Sequence, residues 1–315
     1  MKAKTIRSIL TKKFDNFTAS IKDEGVRELV RKNTIITGGC IVSMLLKQNV
    51  NDYDMYFRDE YTALAVAKYY IGEFKKNPPP VFKNSHPVNI GVVLKDGRVK
   101  IVVKSAGIAG ENPATDYQYF ETIGDPTKQQ EAVDDYVRNV TDLDDESADK
   151  LVDDPEDKGE KYRPVFLSSN AITLANRVQL IIRFTGEPDK IHENYDFVHC
   201  TSYWCSWDCS LVLRQGALES IIAKELRYVG SRYPICSMIR TRKFIAAGWT
   251  INAGQFVKMA WQISKLNLAD VEVLEDQLVG VDAAYFNQVI SILQKSPNPK
   301  EIDGNYLMTI IDKLF

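Results

Sequence analysis

A pair of glycines and a pair of aspartates constrain the fold of this chain more than any other feature. Gly38-Gly39 follow the β-branched run 34–37, which predicts a strand, and precede the apolar segment 41–47, which predicts a buried helix. Twelve residues separate Gly39 from Asp52-Tyr53-Asp54, where a second strand, 53–57, is predicted. The segment therefore predicts a strand, a glycine turn, a helix and a strand that carries two carboxylates.

This order of elements suits nucleotidyl transfer. Glycines allow close approach of the backbone, and a helix N-terminus offers free N–H groups to a triphosphate. Asp52 and Asp54 are two residues apart on a strand, so both side chains project from one face and can hold Mg²⁺ with oxygen ligands. Such metals neutralise phosphates, activate a hydroxyl and stabilise the leaving pyrophosphate. The alternative is a chance combination of a turn and a loop.

Two common phosphate-binding motifs are missing from this segment. It contains no G-x-x-x-x-G-K-[ST], which argues against a P-loop NTPase. It also contains no G-x-G-x-x-G, which argues against a dinucleotide-binding fold.

The first motif resembles the head of the polymerase-β-type nucleotidyltransferases, above all the branch of tRNA CCA-adding enzymes and bacterial poly(A) polymerases. That branch reads GG-x-V-R-D-x-L-L and then D-x-D after the same gap, against Gly38–Leu46 and Asp52–Asp54 here. Asn194–Cys200 is similar to its R-R-D-F-T-x-N, and Leu226–Trp249 is similar to its helical segment I-R-x-V-G … R-F … R-x-x-R-F-A-A-x-x-G-F. The divergent pattern also resembles phage-encoded members.

The resemblance implies a metal-dependent transfer of a nucleoside monophosphate from an NTP to an acceptor hydroxyl, such as the 3′ end of a tRNA or another RNA. It implies that Asp52 and Asp54 are catalytic and bind Mg²⁺, and that Gly38, Gly39 and Ser43 bind the nucleotide. Asp196 is implied as a third catalytic residue, a metal or ribose partner; the alternative is a helix-capping or salt-bridged aspartate.

The family commonly carries its third carboxylate on a neighbouring strand. The best candidate strand, 177–184, contains no acid. One of its faces presents Arg177, Gln179 and Arg183, and we expect Gln179 and Arg183 to contact the phosphates or base of the nucleotide.

The chain departs from the family pattern at several positions. Val42-Ser43 replace an Arg-Asp pair, Asn194-Tyr195 replace an Arg pair, and Cys200 replaces an Asn. The Glu-Asp pair of the base-selecting helix is missing near Ile235-Cys236. Two alternatives therefore stay open: a transferase that modifies a protein or small molecule, and an inactive structural or binding protein with this fold, for example a phage virion component.

The pattern of helices and strands predicts an α+β class, namely a nucleotidyltransferase-type mixed sheet with flanking helices, followed by an all-α domain. Domain limits are predicted at 1–210 and 211–315, with an acidic insertion around 105–165. Residues 134–160 of it hold twelve Asp or Glu against three Lys or Arg, which favours a solvated segment. The remaining predicted elements are helices at 1–33, 60–74, 127–140, 216–228, 239–247, 253–265 and 285–294, and hairpins at 89–103 and 171–184.

Two side-chain groups in the C-terminal half have competing interpretations. Basic residues interleaved with aromatic ones favour contact with RNA, the alternative being a solvated surface; they are Arg227, Arg232, Arg240 and Arg242, with Lys224 and Lys243. His192, His199 and three cysteines between 200 and 209 could bind zinc, but their spacing lacks a C-x₂-C pair, and core packing is the alternative.

Composition narrows the class of protein further. The 315 residues carry 40 Lys+Arg against 42 Asp+Glu, which excludes a protein that holds nucleic acid by bulk charge alone. No apolar run approaches the roughly 20 residues of a membrane span, and no secretory segment follows the basic start, so no membrane partner is expected. The five cysteines are expected as reduced thiols. These features predict a cytoplasmic protein, in the host cytoplasm for a phage-encoded one.

Overall fold

A computed structural model of the chain describes residues 1–76, 89–95, 97–104, 161–167, 170–268, 270, 273 and 277. Most of the acidic insertion and the helices predicted at 127–140 and 285–294 lie outside these residues. The described residues form two compact units. The first comprises 1–104, 161–192 and 200–215, and the second comprises 193–199 and 216–277.

A mixed seven-stranded sheet organises the first unit. Nine strands lie in the described residues, and seven of them form this sheet. They are β1 (Thr34–Thr37), β2 (Tyr53–Phe57), β3 (Asn89–Lys95), β4 (Arg98–Lys104), β5 (Pro164–Leu167), β6 (Ala171–Leu174), β7 (Val178–Thr185), β8 (Tyr203–Cys205) and β9 (Leu211–Val212). The sheet order is β5-β6-β7-β2-β1-β8-β9, while β3 and β4 form a separate hairpin. The pair β2–β7 is parallel, and the other pairs in the sheet are antiparallel.

Eight α-helices lie in the described residues. They are α1 (Ala3–Ser20), α2 (Glu24–Asn33), α3 (Gly39–Leu46), α4 (Glu60–Lys76), α5 (Pro188–His192), α6 (Gln215–Ala223), α7 (Pro234–Ala246) and α8 (Ala253–Ile263). The α+β class and the mixed sheet with flanking helices are confirmed. None of the described helices combines the length and the apolar character needed to cross a membrane.

The core of the first unit lies on one face of the sheet. The apolar stripe of α1, including Leu10, Phe14 and Phe17, packs there with residues from α3, α4 and the strands. Ile36 and Met55 are register partners on β1 and β2, and both are fully buried in this core. Because side chains alternate along a strand, Asp54 and its register partners point to the opposite face.

Two helix predictions were wrong, one in the middle of the helix and one at its C-terminal end. The helix predicted over 1–33 is interrupted, since Asp23 caps α2 by accepting a hydrogen bond from Val26 N at 2.9 Å. The helix predicted over 216–228 ends at Ala223, because Lys224 adopts a φ of 48° and Leu226 N then donates to Thr250 O at 2.7 Å. The strands β5, β8 and β9 and the short helix α5 were not predicted.

Candidate active site

A row of polar side chains crosses the sheet on the face opposite the core. Asp54 on β2 is in register with Thr37 on β1 and with Gln179 on β7. The row continues to Thr173 on β6 and to Tyr203 on β8. Register partners on adjacent strands share one face of a sheet. We call these five residues the polar row; it places the predicted residue Gln179 beside Asp54.

The two glycines at the end of β1 have different environments. Gly38 has φ 91° and ψ −147°, a conformation that only glycine adopts without strain. Gly39 begins α3, and a Cβ added there would meet no atom within 4 Å. Ser43 lies one turn further along α3 and shares the helix face of Gly39. The start of α3 is therefore open to a ligand at Gly39.

Cys40 shows that both aspartates lie close to this helix start. Burial raises the pKa of the Cys40 thiol well above its ordinary value, and the negative charges of Asp54 and then Asp52 raise this pKa further. Asp52 is exposed and Asp54 is half-buried, so both carboxylates remain accessible to a cation. The structure thus brings together the two predicted metal ligands and the glycine turn.

Arg177 holds the chain on both sides of Asp52. Its carbonyl oxygen accepts a hydrogen bond from Tyr53 N at 2.7 Å, and its Nη1 donates to Val50 O at 3.1 Å. Asn176 and Arg177 both have a φ of 61° in the β6–β7 turn. The expectation that Arg177 shares the face of Gln179 is wrong, because it precedes β7 and its guanidinium contacts Val50.

A buried lysine supports this turn from the core side. Lys13 on α1 is only 1% exposed, and its Nζ donates to Asn176 O at 2.7 Å. The same Nζ lies 5.1 Å from the centre of the Tyr53 ring and 5.4 Å from that of Tyr162. Sequence reasoning missed Lys13; the available signal was a lysine at an apolar-stripe position of α1, directly before Phe14.

His192 stabilises the end of β1 through Thr37. The Thr37 hydroxyl donates to Ser202 O at 2.9 Å, and His192 Nε2 lies 2.9 Å from the same hydroxyl oxygen. With the hydroxyl proton directed to Ser202, Nε2–H is the donor to Thr37. Burial, followed by the positive charge of Arg214, lowers the pKa of His192 to about 4, so its ring is neutral at pH 7.

Arg183 lies apart from the polar row. It is four residues beyond Gln179 on β7, in the stretch where the β2–β7 register becomes irregular between Met55 and Phe57. Its side chain is buried, and its guanidinium lies 5.4 Å from the centre of the Phe184 ring. The structure therefore brings Gln179, but not Arg183, next to Asp54.

Asp196 belongs to the second unit, where both carboxylate oxygens are engaged. Ser237 Oγ donates to Oδ1 at 2.8 Å, and Arg240 Nη1 donates to Oδ2. Asp196 is buried, whereas the Arg240 side chain is partly exposed. These contacts fit the salt-bridged alternative, and a metal or ribose role for Asp196 stays a prediction.

The four predicted RNA-binding arginines do not lie on one helix face. Arg227 forms an ion pair with Glu219 at 3.1 Å, and Arg240 is paired with Asp196. Arg232 and Arg242 are exposed. Arg240 and Arg242 are two residues apart on α7 and so point to different sides of it. RNA binding by these residues stays a prediction.

The donors at the site fit a hard cation. Within the part of the chain that the structure describes, no group of three or more His, Cys, Asp or Glu side chains is arranged to hold a metal ion. Asp52 and Asp54 supply two carboxylates, which suits Mg²⁺ because it usually keeps waters and substrate phosphates as its other ligands. The zinc alternative finds no support: the His199 ring packs 4.4 Å from Trp249 and 4.9 Å from Phe244.

Comparison with known families gives one match. The model of the Gabija anti-defense 2 family matches residues 8–224. The chain belongs to this family. The matched range includes the polar row, the glycine turn and both aspartates, whereas Arg232, Arg240 and Arg242 lie beyond it.

Two further comparisons add little to this assignment. No curated protein matches the chain. Among solved structures, a CCA-adding enzyme of Thermotoga maritima, complexed with tRNA, is similar at 10% identity with a TM-score of 0.35. The match covers 90% of this chain and 56% of that enzyme, so the chain spans about half of the enzyme's length.

Proposed function

We propose that this protein is a Mg²⁺-dependent nucleotidyltransferase. One observation carries the proposal: Asp54 is the register partner of Thr37, the residue directly before the glycine turn, Asp52 lies two residues from Asp54, and the turn is open at Gly39. Paired carboxylates beside a helix start supply what a metal-bound triphosphate needs, namely ligands for the cation and N–H donors for the phosphates.

Each element of the site has a role in this proposal. Asp52 and Asp54 hold Mg²⁺, which when bound neutralises the phosphates and favours the ionised form of the attacking hydroxyl. The Gly39 amide and Ser43 bind phosphate oxygens, and Gln179 orients the nucleotide beside Asp54. The acceptor oxygen bonds to the α-phosphorus, the bond from the α-phosphorus to the bridging oxygen breaks, the hydroxyl proton leaves to solvent and pyrophosphate departs.

For the acceptor we propose an RNA 3′ end in the host cytoplasm. Arg232 and Arg242 in the second unit are exposed, and we propose that they contact its phosphates. We further propose that the transfer serves the anti-defence role in the name of the family.

A second candidate is an inactive member of the fold that acts by binding. The described residues contain no third acid grouped with Asp52 and Asp54, and this favours the second candidate. An anti-defence protein can also act by occupying a partner without chemistry.

A label-transfer assay decides between the nucleotidyltransferase and the inactive binding protein. Purified protein is incubated with Mg²⁺, each α-³²P-labelled NTP in turn, and either total tRNA, a short RNA or no added acceptor. We expect label on RNA with wild type and none with Asp52→Asn/Asp54→Asn, while the exposed Asp15→Asn on α1 serves as the matched control and behaves as wild type. Label on the protein itself would identify a protein-modifying transferase. Wild-type inactivity, with Gabija defence blocked equally by the double variant, would establish the binding protein.

A further inference from the structure

A guanidinium lies on the same sheet face as the polar row, at its β8 end. The Arg214 guanidinium lies 5.4 Å from the centre of the Tyr203 ring and donates to Asp189 Oδ1. Arg214 N donates to Ser202 Oγ at 3.3 Å, which fixes its backbone beside β8. Sequence reasoning assigned no role to Arg214, Tyr203 or Asp189.

The position of this guanidinium follows from the sheet register. Tyr203 is the partner of Thr37, and Thr37 is the partner of Asp54, so two strand spacings, about 10 Å, separate Tyr203 from Asp54. Gly38 and Gly39 directly follow Thr37, between these two residues. Arg214 also lies near enough to His192, which contacts Thr37, for its charge to act on that ring. The carboxylates and the guanidinium therefore flank the glycine turn.

We infer that Arg214 binds the γ-phosphate of the nucleotide. This inference rests on the proposed function, and it places the α-phosphate at the Mg²⁺ that Asp52 and Asp54 hold. A triphosphate held there, with its next phosphate at the Gly39 amide, ends on the β8 side of the turn, where Arg214 stands. A planar guanidinium recognises phosphate through two parallel hydrogen bonds.

The present partner of Arg214 is easily exchanged. The Asp189 side chain is 86% exposed, against 33% for that of Arg214, and exposed ion pairs of this kind contribute little to stability. The neighbouring guanidinium lowers the pKa of Asp189, so its carboxylate stays charged at neutral pH and competes with an incoming phosphate. Removal of Asp189 should therefore strengthen triphosphate binding, whereas removal of Arg214 should weaken it.

The chain offers a matched control for this ion pair. Arg58 follows β2 at the opposite end of β1, forms an ion pair with Glu187 at 2.6 Å, and lies 4.4 Å from the centre of the Trp207 ring. Arg58, Glu187 and Trp207 thus repeat the arrangement of Arg214, Asp189 and Tyr203 at a place far from the glycine turn. Arg58→Gln and Glu187→Gln disturb such a pair without touching the proposed phosphate site.

The experiment is calorimetric titration with the Mg²⁺ complexes of ATP, CTP, GTP and UTP, and then with the diphosphate of the tightest binder. In wild type we expect the triphosphate to bind about tenfold more tightly than the diphosphate, as one charge-assisted contact allows. Arg214→Gln abolishes that difference and leaves the affinity for the diphosphate unchanged. Asp189→Asn raises the affinity for the triphosphate about threefold, within the range of an exposed ion pair. Both control variants match wild type.

The outcomes separate this inference from the proposed function. An equal loss of triphosphate and diphosphate affinity in Arg214→Gln, or weaker triphosphate binding in Asp189→Asn, overturns the role of Arg214 and leaves the nucleotide site standing. Failure of wild type to bind any of the four triphosphates overturns both. Because Asp189 is exposed, its variant gives a result even where Arg214→Gln folds poorly.

Discussion

The two adjacent glycines should respond in opposite ways to the same substitution. Gly38 has φ 91° and ψ −147°, so a Cβ there forces strained backbone, whereas Gly39 begins α3 with open space around its Cα. A conformation of the Gly38 type costs a non-glycine residue about 1–3 kcal/mol. Alanine in place of glycine within a helix gains at most about 1 kcal/mol. Gly38→Ala should therefore lower the free energy of unfolding by about 2 kcal/mol, and Gly39→Ala should leave it equal or slightly higher.

Urea denaturation measures this difference, with tryptophan fluorescence as the readout. Trp204 is buried in the first unit, 5.1 Å from the ring centre of Phe14, so its emission reports on the unit that holds both glycines. Gly39→Ala should in addition weaken binding of a Mg²⁺–NTP complex, because its methyl group projects into the space left for phosphate. Equal destabilisation by both substitutions would refute the assignment of separate roles. So would unchanged nucleotide affinity in a stable Gly39→Ala protein.

Three further predictions concern ionisable groups and the β6–β7 turn. Burial lowers the pKa of His192 and of His199 to about 4, from 6.5. The unfolded chain therefore takes up protons at a higher pH than the folded chain, so stability that is present above pH 6.5 is lost as the pH falls to 4. The loss is about 3 kcal/mol per histidine, and urea titrations at several pH values would measure it. Arg177→Met should weaken Mg²⁺ binding several-fold in calorimetry, because Val50 O loses its donor beside Asp52; an unchanged affinity would contradict this. Asp196→Ala should lower the free energy of unfolding by about 2 kcal/mol, because Ser237 and Arg240 lose a buried partner, and a thermal shift near zero would exclude it.

Local signals made the central part of the fold predictable. The β-branched run of β1, the glycines after it and the apolar segment of α3 each favour the element that forms, and the hairpins β3–β4 and β6–β7 follow from their turn residues. The strands β8 and β9 escaped prediction because they are only three and two residues long and form through pairing with β1 and with each other. Two or three residues are too few for an alternating pattern that would predict a strand formed by pairing with a distant segment.

The candidate site was predictable only where its residues are adjacent in the chain. Gly38, Gly39, Asp52 and Asp54 form a motif, whereas Lys13, Arg177 and His192 contact residues near them that are 127 or more positions away in the chain. Their roles depend on which backbone carbonyl or hydroxyl they contact, and no spacing rule encodes that. Asp196 is the opposite case. A sequence motif predicted a metal or ribose role for it, while in the structure Ser237 and Arg240 donate hydrogen bonds to its carboxylate.

The proposed function requires that Asp52 and Asp54 hold the metal of a nucleotide complex beside Gly39. The most direct test is a crystal structure grown with Mn²⁺, which substitutes for Mg²⁺, and a non-hydrolysable NTP analogue, with the metal located by anomalous scattering. We expect an anomalous peak within coordination distance of both carboxylates, about 2.0–2.3 Å, and phosphate density at the Gly39 amide. Bound nucleotide with its metal elsewhere, or carboxylates without metal under these conditions, would contradict it.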